Sequence, residues 1–162
     1  RKLIENDAAV ALQYSSSEGI ASTREAIADR LAVTEGRPVR LSVFRGRPLL
    51  VNFWATWCAP CVVEMPSLDA LAAREGAAME IIAVSQDLNG RQKVTDFFAA
   101  RNFSRLEPYL DPQMALMTAL GLDTLPTTIL YDAEGREVWR MIGMVDWRGE
   151  RAARLLREAE AG

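Results

Sequence analysis

The sequence predicts an α/β fold, a central mixed β-sheet flanked by helices, and three observations point there. The short apolar run at 49–55 and the β-branched run at 79–85 read as strands buried on both faces. Between them, residues 59 to about 74 place Val62, Met65, Leu68 and Ala72 at helical spacing. A strand–helix–strand unit of this kind demands parallel strands joined by a right-handed crossover. Finally, apolar segments at 127–131 and 137–142 flank Asp132-Ala133-Glu134-Gly135-Arg136, a hairpin connection that adds antiparallel strands.

Taken in chain order, residues 1–30 have a texture of their own. Residues 1–14 are mildly amphipathic, Ser15-Ser16-Ser17-Glu18-Gly19 is a polar break, and 22–31 has the makings of a short helix. This segment reads as an N-terminal arm or linker, and 31–162 as the folded domain. Two short strands, at 31–34 and 39–41 around Glu35-Gly36-Arg37-Pro38, form an N-terminal β-hairpin extension. The turn Phe44-Arg45-Gly46-Arg47-Pro48 leads into the first buried strand. After the second, Asn89-Gly90 breaks the chain, and 93–101 is a helix with Val94, Phe97 and Phe98 inward. A short strand at 106–110 completes a central strand–helix insert. Asp111 then suits an N-cap and Pro112 the first helical position, with the helix stopping at Gly121. Asp146 caps a last helix that extends to about residue 159.

The chemistry of the chain is concentrated in Trp57-Cys58-Ala59-Pro60-Cys61, which holds its only two cysteines. A C-x-x-C pair serves as a structural bridge, half a metal site or a redox couple. So short a loop stabilises little, because a cross-link acts mainly by closing a long unfolded loop. A closed zinc site needs four ligands, and the chain has no histidine and no third cysteine. Redox exchange needs nothing further. The pair falls where a strand ends and a helix begins, so a thiolate on Cys58 meets unpaired N–H groups and the positive end of the dipole. That lowers the thiol pKa and makes Cys58 the nucleophile, with Cys61, one turn inward, as resolving thiol. Pro60 sits in the first turn, where its missing N–H costs nothing.

Composition narrows the class further. With 49% hydrophobic and 25% charged residues and a net charge of −3, the 162 residues are of ordinary globular type, and nucleic-acid binding is disfavoured. No apolar run approaches the roughly 18 residues of a membrane helix. The chain opens on Arg1-Lys2 without a Met and reads as a mature or trimmed form, its signal or anchor removed.

The run from Val51-Asn52-Phe53-Trp54-Ala55-Thr56 through the C-x-x-C pair to Glu64-Met65-Pro66 resembles the thioredoxin-like reductases of the bacterial cell envelope. It is most similar to the TlpA branch, close to ResA and the cytochrome c maturation thioredoxins (DsbE/CcmG). Asp111-Pro112, Leu125-Pro126-Thr127-Thr128, Gly135 and 143–147 match in the expected order. The resemblance implies a thioredoxin-like fold and a protein-disulfide reductase with no cofactor beyond the redox-active Cys58–Cys61 disulfide. It implies a cis Leu125–Pro126 bond, where residues alone favour trans, and a Leu125 backbone with which an extended substrate pairs as an added strand. Trp57, next to the nucleophile, reads as lining the substrate surface together with Pro60, against the alternative of simple packing for Trp57. The implied setting is periplasmic, membrane-anchored through a removed N-terminal segment, in a monomer. Its partners are disulfide-bearing substrate proteins of cytochrome c biogenesis or cytochrome oxidase copper-centre assembly, and its electron donor is a membrane protein of the CcdA or DsbD kind.

Where thioredoxin carries a buried Asp, this chain has Asn52, which accepts no proton. Glu64, three residues beyond Cys61 on the same helix, is the natural substitute base, against the alternative of a solvated helix glutamate. Trp54 reads as core, and Pro66 as a helix kink without chemistry. The methionines Met65, Met114, Met117, Met141 and Met144 read as core filler rather than copper ligands. Three rival functions use the same residues. A DsbA-type oxidant is disfavoured by an Ala59-Pro60 dipeptide that offers the thiolate neither charge nor hydrogen bond. A copper chaperone ligating through both thiols is disfavoured by the lack of imidazole, and a thiol peroxidase by the lack of an Arg–Thr arrangement.

Overall fold

The computed structural model describes residues 3–6, 10–13, 31–33, 37–88 and 90–158. Its strands are β1 (Leu3–Asn6), β2 (Val10–Gln13), β3 (Leu31–Val33), β4 (Pro38–Val39), β5 (Leu49–Trp54), β6 (Glu80–Ser85), β7 (Pro108–Leu110), β8 (Thr127–Tyr131) and β9 (Glu137–Ile142). The helices are α1 (Ala59–Glu75), α2 (Arg91–Arg101), α3 (Ala115–Ala119) and α4 (Glu150–Arg157), with a 3₁₀ turn at Leu41–Phe44. Among the described residues the strands form one mixed sheet, in the order β1-β2-β9-β8-β5-β6-β7-β3-β4.

The centre of the sheet is set by the apolar runs. Every residue of β5 is buried. It pairs in parallel with β6, Leu49 opposite Glu80 and Trp54 opposite Ser85, through the crossover helix α1. On its other side it pairs antiparallel with β8, Phe53 opposite Thr127. Because side chains alternate along a strand, β5 feeds two cores. Leu50 and Trp54 pack with Met65, Leu68 and Leu71 of α1 and with Leu155 and Leu156 of α4. Val51 and Phe53 pack with Leu116 and Leu120 around α3. Trp54 is fully buried against Phe97 and Phe98 of α2, as expected of a core residue. Asn52 shares the α1 side of the strand, which carries it toward Glu64.

Several expected elements are present within a residue or two. The hairpin is β8 and β9, turning through Gly135 at φ +82°. The N-terminal hairpin is β3 and β4, with β3 also paired to β7. Gly121 ends α3 at φ +67°, its N–H donating to Thr118 O. Helix α1 continues through Pro66 without interruption. Met65, Met117 and Met141 are buried, whereas Met114 is only half-buried and Met144 is exposed, so core filling describes three of the five methionines.

Three features differ from expectation. First, β1 and β2 fall within the segment read as an arm, β2 pairing antiparallel with β9. Alternation over four residues is too short a signal to separate a strand from a polar arm. The helix expected at 22–31, except Leu31, which opens β3, and the far end of the last helix lie outside the described residues. Second, α3 begins at Ala115 and not at Pro112. The chain first turns, Met114 N–H donating to Asp111 O, and Met114 takes φ 52°. The Asp111 carboxylate still caps the helix, from further back, by accepting the N–H groups of Ala115, Leu116 and Met117 at 2.9–3.1 Å. Third, Asp146 does not cap α4; Gly149 takes that position. The Asp146 carboxylate instead accepts the N–H of Arg148, closing a tight turn.

Asp111 therefore carries the start of α3 alone. Burial raises its pKa even though three backbone N–H groups favour the charged form. Asp111→Ala strands those donors in a buried setting, and urea unfolding is expected to show a loss of about 2–3 kcal/mol.

Candidate active site

Strand β5 ends on Trp54, and the next four residues make one turn, closed by Cys58 N–H donating to Ala55 O at 3.2 Å. Cys58 has extended backbone angles (φ −93°, ψ 102°) and is the N-cap of α1, with no side-chain cap on the helix. Proline in the first turn lacks an N–H, so the pattern of the sequence suits this junction. Cys58 and Cys61 are joined as a disulfide, with Cα atoms 5.3 Å apart. Both are buried, but unequally: Cys58 is 6% exposed and Cys61 1%. The outer sulfur is thus the one at the helix terminus, where a thiolate gains from unpaired N–H groups.

The antiparallel register between β5 and β8 brings the start of β8 to the same end of the sheet. There the Leu125–Pro126 bond is cis, as the resemblance implied. Pro126 is buried and Leu125 half-buried. The Pro126 carbonyl accepts Gly143 N–H at 2.8 Å, which ties this turn to the loop after β9. Exposed apolar side chains are found on the segments that meet at this end of the sheet. Trp57 is 67% exposed, and Val63, Leu88 and Met144 stand exposed on neighbouring segments, as does Pro60 beside the bridge.

Beneath this surface lies Glu64, in the second turn of α1 and only 2% exposed. The solvated alternative is therefore excluded. Its Oε1 accepts the Trp147 indole N–H at 2.6 Å and Val145 N–H at 3.4 Å. Its Oε2 accepts Asn52 Nδ2–H at 3.5 Å, and the same amide donates to Thr128 Oγ1 at 3.0 Å. Ser67 Oγ donates to Glu64 O and accepts Trp147 N–H, so the loop carrying Trp147 is held twice. Loss of water is the largest influence on this carboxyl and outweighs the three donors, pushing its pKa from 4.5 up to about 7. A carboxyl poised there exchanges a proton near neutral pH.

The sequence-predicted residues Cys58, Cys61, Glu64, Trp57, Pro60, Leu125 and Pro126 thus all fall at one end of the sheet, on the β5–α1 junction and the start of β8. Two parts of the site escaped sequence reading. Trp147 sits 83 positions from Glu64, and only the tertiary fold pairs them. The second is Asp87, just past the end of β6, whose carboxylate grips Thr56. Its position outside the carboxyl end of a central parallel strand, where α/β folds build their sites, was the available signal. Among the described residues no group of three or more His, Cys, Asp or Glu side chains is placed to hold a metal ion. No helix among them is long and apolar enough to cross a membrane.

Fold and site together define a thioredoxin-like protein with a vicinal cysteine pair capping its first long helix. The chain belongs to the Redoxin family, whose model matches residues 17–155. It is 37% identical over 108 residues to the thiol-disulfide oxidoreductase ResA of Geobacillus thermodenitrificans, covering 65% of this chain and 60% of that protein. With ResA of Bacillus subtilis it shares 30% identity over 131 residues, covering 77% and 69%. The match thus spans only about three fifths of the length of the former relative. Among solved structures it is similar to a Chlorobium tepidum protein named as thiol:disulfide interchange protein DsbE, with a TM-score of 0.71, 25% identity, and coverage of 80% of this chain and 90% of that one. The exposed lipoprotein thioredoxin of Streptococcus pneumoniae gives 0.67, 25%, 80% and 96%.

The raised pKa of Glu64 makes stability depend on pH. The folded value of about 7 lies above the ordinary 4.5, so the native state holds a proton that the unfolded chain releases. The Glu64 contribution to stability, as much as about 3 kcal/mol, is fully present below pH 4.5, declines as pH rises toward 7 and is lost above it. Urea unfolding across this range is expected to show the fall in the wild type and a flatter profile in Glu64→Gln.

Proposed function

We propose that this chain is a thiol–disulfide oxidoreductase that works as a protein-disulfide reductant outside the cytoplasm. One observation carries the reading: the Cys58–Cys61 bridge spans the first turn of α1 with its more accessible sulfur at the helix N-cap. In the reduced protein the Cys58 thiolate attacks one sulfur of a substrate disulfide and expels the other as a thiolate. Cys61 then attacks Cys58 Sγ, expelling the second substrate sulfur. Two electrons pass to the substrate, and the Cys58–Cys61 bond forms. Glu64 takes the proton from Cys61 in that second step, a role supported by its burial on the same helix three residues away and by its pKa near 7. Leu125, at the cis turn, offers backbone for an extended substrate segment to pair with, and Trp57 and Pro60 offer apolar cover.

The reductant direction rests on the dipeptide between the cysteines. Ala59 and Pro60 give the Cys58 thiolate no side-chain donor, so the reduced form lacks the strong stabilisation that makes an oxidant. The reading extends to a periplasmic, membrane-anchored form, substrates in cytochrome c maturation or copper-centre assembly, and recharging by a CcdA- or DsbD-type donor; the likeness to proteins named ResA and DsbE supports it.

Three measurements test the reading. The wild type, and not Cys58→Ser, should speed the reduction of insulin by dithiothreitol. Equilibration with glutathione should place the Cys58–Cys61 couple well below the roughly −120 mV of a strong oxidant; a value that high overturns the reductant direction. Glu64→Gln should slow the release of substrate from the mixed disulfide about tenfold near pH 7 while leaving its formation unchanged. Equal release rates across pH would remove Glu64 from the reaction.

A further inference from the structure

A second buried carboxylate borders the site from the opposite side. Asp87 follows β6, is 2% exposed, and spends both oxygens on the turn that carries the nucleophile. Oδ2 accepts Thr56 N–H at 2.9 Å, and Oδ1 accepts Thr56 Oγ–H at 2.6 Å. Asp87 is itself held: Ser85 Oγ donates to Oδ2 at 2.7 Å and accepts Asp87 N–H at 3.0 Å. Gln86 N–H donates to Trp54 O at 2.8 Å, fastening the same loop to the last residue of β5. Gly90 closes over it, with N–H directed to Asp87 O, and a Cβ there would lie 2.2 Å from Asp87 Cβ. No other residue type fits that position without moving the clamp.

Thr56 stands two residues before Cys58, inside the turn closed by Cys58 N–H and Ala55 O. That turn has one internal hydrogen bond of its own, and next to it Trp57 is exposed. What fixes its orientation on the sheet is the two-point grip on Thr56. We propose that Asp87 is a positioning residue for thiol–disulfide exchange: through Thr56 it holds the 55–58 turn so that the Cys58 sulfur stays at the free N–H groups of α1 and aligned for in-line attack. It acts through Thr56 and not on the substrate. The inference rests on the oxidoreductase reading above, and it adds to that reading a component on β6 that neither cysteine nor Glu64 supplies.

The cleanest probe is Thr56, because changing it leaves Asp87 itself in place. Thr56→Val keeps the shape and the backbone N–H but deletes the hydroxyl donor, while Thr56→Ser keeps both donors. Single-turnover formation of the mixed disulfide with insulin is measured in the Cys61→Ser background, with thermal unfolding alongside. The expected result is a fall of about tenfold for Thr56→Val with recovery to within about twofold for Thr56→Ser, since small misplacement of an attacking atom is costly. Asp87→Asn, which puts a donor where an acceptor is needed, should fall at least as far. Wild-type rates in Thr56→Val, or equal slowing in Thr56→Val and Thr56→Ser, would overturn the positioning role. A parent protein that forms no mixed disulfide at all would instead overturn the oxidoreductase reading, so the two failures are told apart.

Discussion

The structure depends on one junction, where buried strand β5 passes into α1 within four residues. A slip of one residue in this strand would carry Asn52 away from Thr128 and Glu64 and into the apolar core on the other face, so the pairing fixes the point at which the strand ends. The helix that follows has its first turn uncapped by any side chain, and Cys58 stands at the cap position. The electrostatic benefit of a helix terminus falls off within one turn. A cysteine displaced by even a few residues along α1 would lose it. The chemistry assigned to Cys58 is therefore a consequence of sheet packing as much as of the cysteine itself.

The rest of the site can be understood as what the sheet supports around that junction. Alternation along β5 sends Asn52 to the α1 side, where its amide bridges Thr128 on β8 and Glu64 on α1. Thioredoxin's buried Asp would place its charge on the strand; here the strand carries a neutral amide and the helix carries the acid. Glu64 accepts from Trp147, Val145 and Asn52, yet burial still dominates. Three donors at 2.6, 3.4 and 3.5 Å include only one short bond. This is why desolvation prevails: the long contacts recover little of the hydration that a carboxylate loses.

Much of this was legible in the sequence because the signals were local. Helix α1, strands β5, β6, β8 and β9, the Gly121 stop and the core position of Trp54 all follow from periodicity, apolar runs and turn residues. The cysteine pair announced itself by its spacing, and the cis Leu125–Pro126 bond was accessible only through resemblance. The failures share a cause. Asp111 and Asp146 were assigned by adjacency to a helix start, but a carboxylate can cap from several residues back, as Asp111 does, or close a turn of its own, as Asp146 does. Trp147 and Asp87 matter through partners 83 and 31 positions away, and no periodicity encodes such pairs. Strand β2 gains its pairing from β9, and β1 from β2, rather than from their own composition.

Burial has a further consequence for the proposed reaction. The inner sulfur and the carboxyl three residues further along α1 are both almost fully covered, Cys61 at 1% and Glu64 at 2%. A thiol that must ionise in such a place cannot hand its proton readily to bulk water. A charge left there would bear the same desolvation that raises Glu64. Moving the proton from Cys61 to Glu64 exchanges one buried anion for another, so the interior never gains net charge during the step. A carboxyl at its ordinary pKa would be a poor acceptor for a thiol, whereas one raised to about 7 lies closer to the thiol range and reduces the uphill transfer. The burial that lowers the stability of the folded protein as pH rises is thus the same burial that equips Glu64 for the exchange.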